Sequence, residues 1–320
     1  MGNYHTIIIP VRPHPDVIVG LFLLKKFGST KYPGISNAKI EMTQELPYGE
    51  TATSLEEKGI LALDIGQGKL DHHNGGSNLS QLIAKELEID EDPSIAKLLA
   101  YAQRDDKYGL GTISTDPLDK AFGLSGLIAC LNRTVEDHEK VIEIIFPLLA
   151  AHCLEEGKRT KELPKEFEKN LQDKKAEIFD VVQDKKKLKV VVVQSDNPSM
   201  PGWLRSSIGI KADVVCQVKS SRHINILTRP LKRVDLRQLA AHLRIEEAQA
   251  KGIQLNYQAA ELRKPGKLSE VPEWYYDNAT NSILNGSANP KGILPTSISH
   301  ERVITILKEA LFKEVPRYQS

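Results

Sequence analysis

The amino-acid sequence predicts a two-domain α/β protein: an N-terminal domain on a mainly parallel sheet flanked by helices, and a smaller α/β C-terminal domain. Three observations carry that prediction. Short apolar runs at 4–11, 38–43 and 59–64 are spaced by an apolar-faced helix and polar connections. Aspartate and histidine gather just after the first and third runs, where α/β sheets collect their functional groups. A Lys- and Glu-rich stretch, 155–187, then gives way to a second set of strand-like segments. At 320 residues the chain exceeds one typical domain. The boundaries read as 1–157, a solvated helical linker over 158–187, and 188–320.

In the first domain, Tyr4 to Val11 is β-branched and apolar and is closed by Pro10 and Pro13, which marks a buried strand. Val17 to Phe27 follows as a helix that ends at Gly28. Ala38 to Thr43 is the second strand. Gly59 to Asp64, nearly all apolar, is the third and suits the centre of a parallel sheet. Helices are expected at 79–87, 95–103, 118–131 and 135–154, each with apolar residues at helical spacing. The helix at 95–103 runs into the charged cluster Arg104-Asp105-Asp106-Lys107.

Past the linker, Lys189 to Gln194 (KVVVVQ) reads as a strong strand. Ala212 to Val218 and His223 to Thr228 are two more, joined by a short polar turn as a hairpin. A helix begins near Asp235, its expected N-cap, and a last amphipathic helix spans 299–312. Trp274, Tyr275 and Tyr276 are expected to pack under the tail, and Asn285-Gly286-Ser287 to form a turn.

Composition narrows the function. Forty per cent apolar and 27% charged residues with a net charge of +1 describe an ordinary soluble protein without a global field for nucleic acid or membrane. The three cysteines, Cys130, Cys153 and Cys216, are an odd and widely spaced set, expected as free thiols in a reducing compartment. No apolar run is long enough to span a bilayer, and MGNYHTIIIP lacks a signal-peptide pattern. The expected location is the cytoplasm.

The chemistry concentrates in LALDIGQGKLDHHNGG, residues 61–76. Asp64 ends an apolar run, and Asp71, His72 and His73 follow before a glycine-rich turn. Carboxylates and imidazoles hold divalent ions, with Mn²⁺ admitting imidazole more readily than Mg²⁺. His14 and Asp16 follow the first strand, and Asp105 and Asp106 offer a carboxylate from a helix end. In a two-ion scheme Asp64 bridges, His14 and Asp16 complete one ion's shell, and His72 with one of Asp105 and Asp106, Asp105 being preferred, completes the other. Asp71 and Asp106 are the further metal-ligand candidates. His73 suits phosphate contact or proton transfer to a leaving group, so Asp64 and His73 are the catalytic candidates.

His14-Pro-Asp16, Leu63-Asp64-Ile-Gly66, Asp71-His72-His73 and the later aspartate together resemble the ordered motifs of the DHH phosphoesterase superfamily, which includes RecJ-type nucleases. The resemblance spans about residues 4–150. It implies Mn²⁺ or Mg²⁺, one or two ions, and hydrolysis of a phosphoester or phosphoanhydride of a nucleotide, short oligonucleotide or other small phosphate compound. The pattern departs at Ile18, where the family carries a second aspartate. That departure leaves open a catalytically degenerate member that binds or senses a nucleotide or nucleic acid. In the C-terminal half the resemblance extends only to size and strand content.

Arg104, and Ser221, Arg222 and His223 at the hairpin tip, are the candidates for phosphate or substrate binding. Arg205, Lys211, Lys219, Arg229, Lys232, Arg233 and Arg237 make the C-terminal half locally basic. The expected partner is an anionic phosphate-containing substrate, with single-stranded nucleic acid among the candidates.

Overall fold

The computed structural model describes residues 3–73, 77–109, 111–230, 232–285 and 292–312, and the backbone alone at Phe312. The expected glycine-rich turn after His73 and the turn at 286–287 lie outside the described residues. The chain divides into two compact units, Met1–Lys158 and Arg159–Ser320.

Unit 1 opens with β1 (Thr6–Pro10), whose isoleucines Ile7, Ile8 and Ile9 are all buried. Its helix α1 (Pro15–Phe27) is buried from Pro15 to Leu24. A helix apolar on every side is one that neighbours surround. α1 crosses to β2 (Lys39–Thr43), and α2 (Ala52–Glu57), capped by Thr51 and Ser54 in a reciprocal box, leads into β3 (Ile60–Ala62). Both β2 and β3 pair with β1 in parallel, giving the order β2-β1-β3. The central strand is therefore β1, and β3 forms an edge of the three-stranded sheet, contrary to the expectation. Its apolar character comes from α2, which packs beside it, and from the ladder that continues as Leu63 N donates to Ile8 O at 2.9 Å.

Helices α3 (Leu79–Glu86), α4 (Ala96–Tyr108), α5 (Pro117–Phe122), α6 (Leu124–Thr134) and α7 (Glu139–Gly157) complete the unit. The single helix expected over 118–131 is two, broken at Gly123 with extended backbone. α4 continues through the charged cluster to Gly109, whose positive φ of 67° closes it as a left-handed C-cap. α1 touches α3, α4 and α7. Its approach to α3 is close: a Cβ on Gly20 would lie 3.0 Å from Ile83 Cδ1 and 3.2 Å from Leu79 Cγ.

Unit 2 begins within the stretch read as a linker. Residues 158–162 form a π-helical turn and α8 (Leu163–Gln172) buries Leu163 and Phe167, but the helix stops there. β4 (Ala176–Gln183) follows and pairs antiparallel with β5 (Lys186–Gln194) through a turn in which Asp184 and Lys185 both have positive φ. The Lys- and Glu-rich flanks hid a strand in which exposed Ile178, Asp180 and Val182 alternate with the more buried Phe179 and Val181.

The remaining elements are α9 (Met200–Arg205), β6 (Val214–Val218), β7 (Ile224–Thr228), α10 (Arg237–Ala250), α11 (Ala259–Leu262), β8 (Trp274–Asp277), β9 (Ser282–Asn285) and α12 (His300–Phe312). The sheet order is β4-β5-β6-β7-β9-β8, parallel only between β5 and β6. β6 and β7 form the expected antiparallel pair. The valine run of β5 is apolar throughout because both sheet faces are covered. Val190 and Val192 join the core beneath α10 and α12, while Val191 and Val193 join the one beneath α8 and α9. Asp235 Oδ1 accepts from Arg237 N at 3.0 Å, so it caps α10 from one residue before the formal N-cap, Leu236.

Two charged residues of α10 are fully buried. Arg244 donates to the carbonyls of Leu262 (2.7 Å), Lys264 (2.9 Å) and Gly266, which seals the segment after α11. Glu247 accepts from Trp274 Nε1 at 3.0 Å, from Ser297 N at 2.8 Å and from Thr296 Oγ1. A buried ion is tolerable only when bonded in this way. Arg244→Ala leaves three carbonyls without their donor and is expected to cost at least about 2 kcal/mol in urea unfolding of unit 2.

Candidate metal and phosphate site

The parallel sheet directs the ends of β1 and β3 to one edge, and the site grows there. After β1 the chain turns at Arg12, with φ of 54°, and enters α1 through Pro13, His14 and Pro15, which places Asp16 in the helix's first turn. After β3, Asp64 itself adopts the left-handed conformation, with φ of 56°. Aspartate tolerates that region better than most residues. A tight loop returns so that Asp64 N donates to Leu70 O at 2.8 Å. Within it Gly66 has φ of 81°, and a Cβ there would collide with Leu46, so the glycine of the Asp-Ile-Gly motif is dictated by backbone geometry and space.

Asp71 closes the same loop. Its Oδ2 accepts from Gln67 N at 2.8 Å, while its Oδ1 accepts from His73 N at 3.1 Å and lies 2.7 Å from His73 Nδ1. The carboxylate is thus spent on shaping the loop and orienting His73, and it is not part of either ligand cluster. Burial works against its charge, yet the hydrogen bonds from His73 and Gln67 prevail and hold its pKa below the ordinary value. His73 in turn is raised, first by its bond to Asp71 and then by the nearby Asp64 charge.

Two groups of side chains lie close enough to share a cation: Asp64, His72 and His73, and Asp16, His72 and Asp106, with ligand atoms in each group within 4.8 Å of one another. His72 is their common member. Its Nδ1 is 2.6 Å from Asp64 Oδ1 and 3.9 Å from Asp16 Oδ2, and its Nε2 is 3.6 Å from Asp106 Oδ1. The rings of His72 and His73 stack 4.8 Å apart.

Asp16 Oδ2, Asp64 Oδ1 and His72 Nδ1 are buried and have no hydrogen-bond partner among the described residues. Even the short His72–Asp64 approach is therefore not a hydrogen bond. Buried polar atoms left unpaired need a partner, and a carboxylate–imidazole set of this kind could hold a divalent cation. Burial, then the Asp64 charge, raises the pKa of Asp16.

This geometry redistributes the expected roles. Among the described residues the member shared by the two groups is His72, while Asp64 enters one of them. Asp105 and Asp106 both line the cavity, but adjacent residues on a helix diverge by about 100°, and it is Asp106 that joins a group while Asp105 is the more buried. His14 is exposed beside the cavity but joins neither group. Ile18 is fully buried in the core. Two residues beyond Asp16, it faces about 200° around α1, so an aspartate there would enter apolar packing and not the site.

The cavity over these groups has a volume of about 620 Å³ and is lined by Arg12, His14, Asp16, Asp64, His72 and Asp106 and by a wall of α6. Arg133 and Asn132 project from that wall. Asn132 Nδ2 donates to Pro13 O at 3.0 Å, tying α6 to the loop after β1, and its Oδ1 is buried without a partner among the described residues. Arg104 is exposed and does not line the cavity. The cations at the site are Arg12 and Arg133. Arg12 had a signal in its position after β1, whereas Arg133 is far away in sequence. At the hairpin tip of unit 2, Arg222 has φ of 64°, and His223 Nδ1 and Nε2 lie 3.0 Å from Ser221 Oγ and 3.1 Å from Ile293 O. Ser221, Arg222 and His223 form a polar turn in which His223 is held both by Ser221 and by the distant carbonyl of Ile293, and Arg222 lines a cavity beside it.

Two outcomes are expected of metal-free protein and its reloading. A raised folded-state pKa means that Asp16 costs stability once pH exceeds its unfolded value, fully so above its folded value, and that acid relieves the cost. Asp16→Asn is thus expected to raise the chelator-treated unit 1 melting temperature at pH 7 and to flatten its fall with pH, as read by calorimetry. In Mn²⁺ titrations, Asp106→Ala is expected to weaken binding by about tenfold or more. Asp105→Ala is expected mainly to lower thermal stability.

No protein-family model and no curated protein matches the chain. Among solved structures it is similar to the crystal structure of an uncharacterized protein from Helicobacter pylori G27, at 10% identity over 97% of this chain and 99% of that one. The TM-score is 0.21, a level of likeness that carries no argument about fold or function. Among the described residues no helix is long and apolar enough to cross a membrane.

Proposed function

We propose that unit 1 is a metal-dependent phosphohydrolase acting on a phosphoester or phosphoanhydride of a nucleotide, short oligonucleotide or other small phosphate compound. The observation that carries this reading is the set of unpartnered buried atoms on Asp16, Asp64 and His72, opening into a cavity whose cations are Arg12 and Arg133. Acidic ligands call for a divalent cation, and arginines beside them call for an anionic substrate. The His-Pro-Asp, Asp-Ile-Gly and Asp-His-His motifs of the DHH resemblance supply Asp16, Asp64 and His72 in turn.

Asp16, Asp64, His72 and Asp106 would hold the ion, Mn²⁺ or Mg²⁺. When bound, such an ion stabilises charge on a phosphoryl oxygen and acidifies a water. Arg12 and Arg133 bind the non-bridging phosphate oxygens, and Asn132 Oδ1 accepts from a substrate hydroxyl or amine. His73, kept protonated to higher pH by Asp71, donates the proton to the leaving oxygen. Asp71 acts through His73 by fixing its ring.

A specific observation favours a second reading, a binding or sensing protein that no longer turns substrate over. The family's additional carboxylate has no counterpart here, since Ile18 belongs to the core and His14 joins neither ligand group. A Mn²⁺ assay over pyrophosphate, nucleotides, cyclic and linear dinucleotides and short single-stranded RNA and DNA separates the two. Hydrolysis of one class that falls at least about 10³-fold in Asp64→Ala is the expected result. Metal binding with no turnover across the panel selects the sensing reading.

A further inference from the structure

We infer that unit 2 carries a phosphate-binding cleft of its own, which takes the polyphosphate of a free nucleotide or the phosphodiester backbone of a short single strand. The cleft stands on unit 2 alone and does not depend on the metal reading of unit 1. It has a volume of about 1070 Å³ and lies between the end of β7, the segment leading to α10, and the β8–β9 turn. Arg205, Arg229, Lys232, Arg233 and Arg237 line it, with Asp235 as the one carboxylate in the lining.

The cations are not cancelled locally. Arg229 and Lys232 share the single buried carboxylate of Asp213, at 2.6 and 3.6 Å. Arg237 pairs with Asp235 at 2.6 Å. Arg205 is half-buried, and its bonds go to the carbonyls of Pro201 and Thr228, which neutralise nothing. Arg233 is exposed and has no ion pair among the described residues. Five cations line the cleft against the carboxylates of Asp213 and Asp235, with Asp184 acting more weakly on Arg237, which leaves an excess of positive charge. Desolvation of Arg205 without an anion is unfavourable, and its pKa is lowered accordingly.

The walls are also fixed in advance. Thr228 Oγ1 donates to Asn281 O at 2.8 Å, and Asn281 Nδ2 donates to Val234 O at 2.9 Å. The β8–β9 turn is thereby pinned to both sides of the basic segment, so little ordering remains when an anion enters. Guanidinium forks converging on a pre-formed polar cleft match phosphate oxygens. The one aromatic residue among the described lining residues, Tyr276, is buried, so no aromatic face is open to a base there. The lining therefore favours recognition through phosphate.

The test uses the full chain with chelator present, so that unit 1 holds no ion. Binding of a labelled short oligothymidine is followed by anisotropy over a range of salt, and inorganic tripolyphosphate and ATP are titrated by calorimetry. Arg233→Gln and Arg237→Ala each remove a cation without stripping the buried Asp213. Each is expected to weaken binding by about fivefold at moderate salt and to lower the salt slope by about one for the strand. Binding of tripolyphosphate and ATP but not the strand identifies free nucleotide as the ligand, and competition among all three identifies the shared phosphate site. Affinity unchanged in both variants, no binding of any probe, or a loss seen in Asp64→Ala instead overturns the assignment. Hydrolysis by unit 1 is scored separately, so either reading can fail alone.

Discussion

The constraint on which the N-terminal unit turns is electrostatic: two buried carboxylates, Asp16 and Asp64, are held against one imidazole with their inner atoms unbonded. Left alone, that arrangement is unfavourable, because like charges in a desolvated site repel and neither oxygen has a donor. A positive charge placed among these atoms would relieve that cost. Everything near it serves that convergence, from the parallel ladder that brings two strand ends to one edge to the left-handed turns at Arg12 and Asp64.

The loop from Asp64 to His73 shows how the cost is contained. Asp71, the first residue of the Asp-His-His triplet, gives its oxygens to backbone amides and to His73 and so defines the loop. His72 is then free to face the carboxylates, and His73 stacks on it near Asp64. One carboxylate organises the loop, while the inner oxygens of Asp16 and Asp64 stay unbonded. α6 closes the opposite wall and is tied to the β1 loop by Asn132, which places Arg133 over the cavity.

Unit 2 uses charge differently. Arg244, through its terminal guanidinium nitrogens, and Glu247 sit in its interior bonded to the chain around them and weld loops to α10. The cations of the cleft beside β7 are the reverse case, an excess with too few carboxylates to absorb it. The same residue type is structural in one place and available in the other, and the number of local acceptors decides which.

Much of the fold was legible in the sequence because it rests on short-range pattern. The isoleucines of β1, the apolar α1, the β6–β7 hairpin and the valine run of β5 all announce themselves through spacing. The candidate cluster was legible for a similar reason, since strand-end position and residue chemistry together pointed to Asp16, Asp64 and His72. What only the tertiary structure decided was orientation and distant neighbours. β4 was obscured by the lysines that flank it, because an edge strand between charged segments reads as part of the solvated stretch. The choice of Asp106 over Asp105, the burial of Ile18 and the arrival of Arg133 depend on helix rotation and on how α4, α1 and α6 dock. Local sequence fixes which side chains are present near the site; the packing of elements far apart in the chain fixes which of them face it.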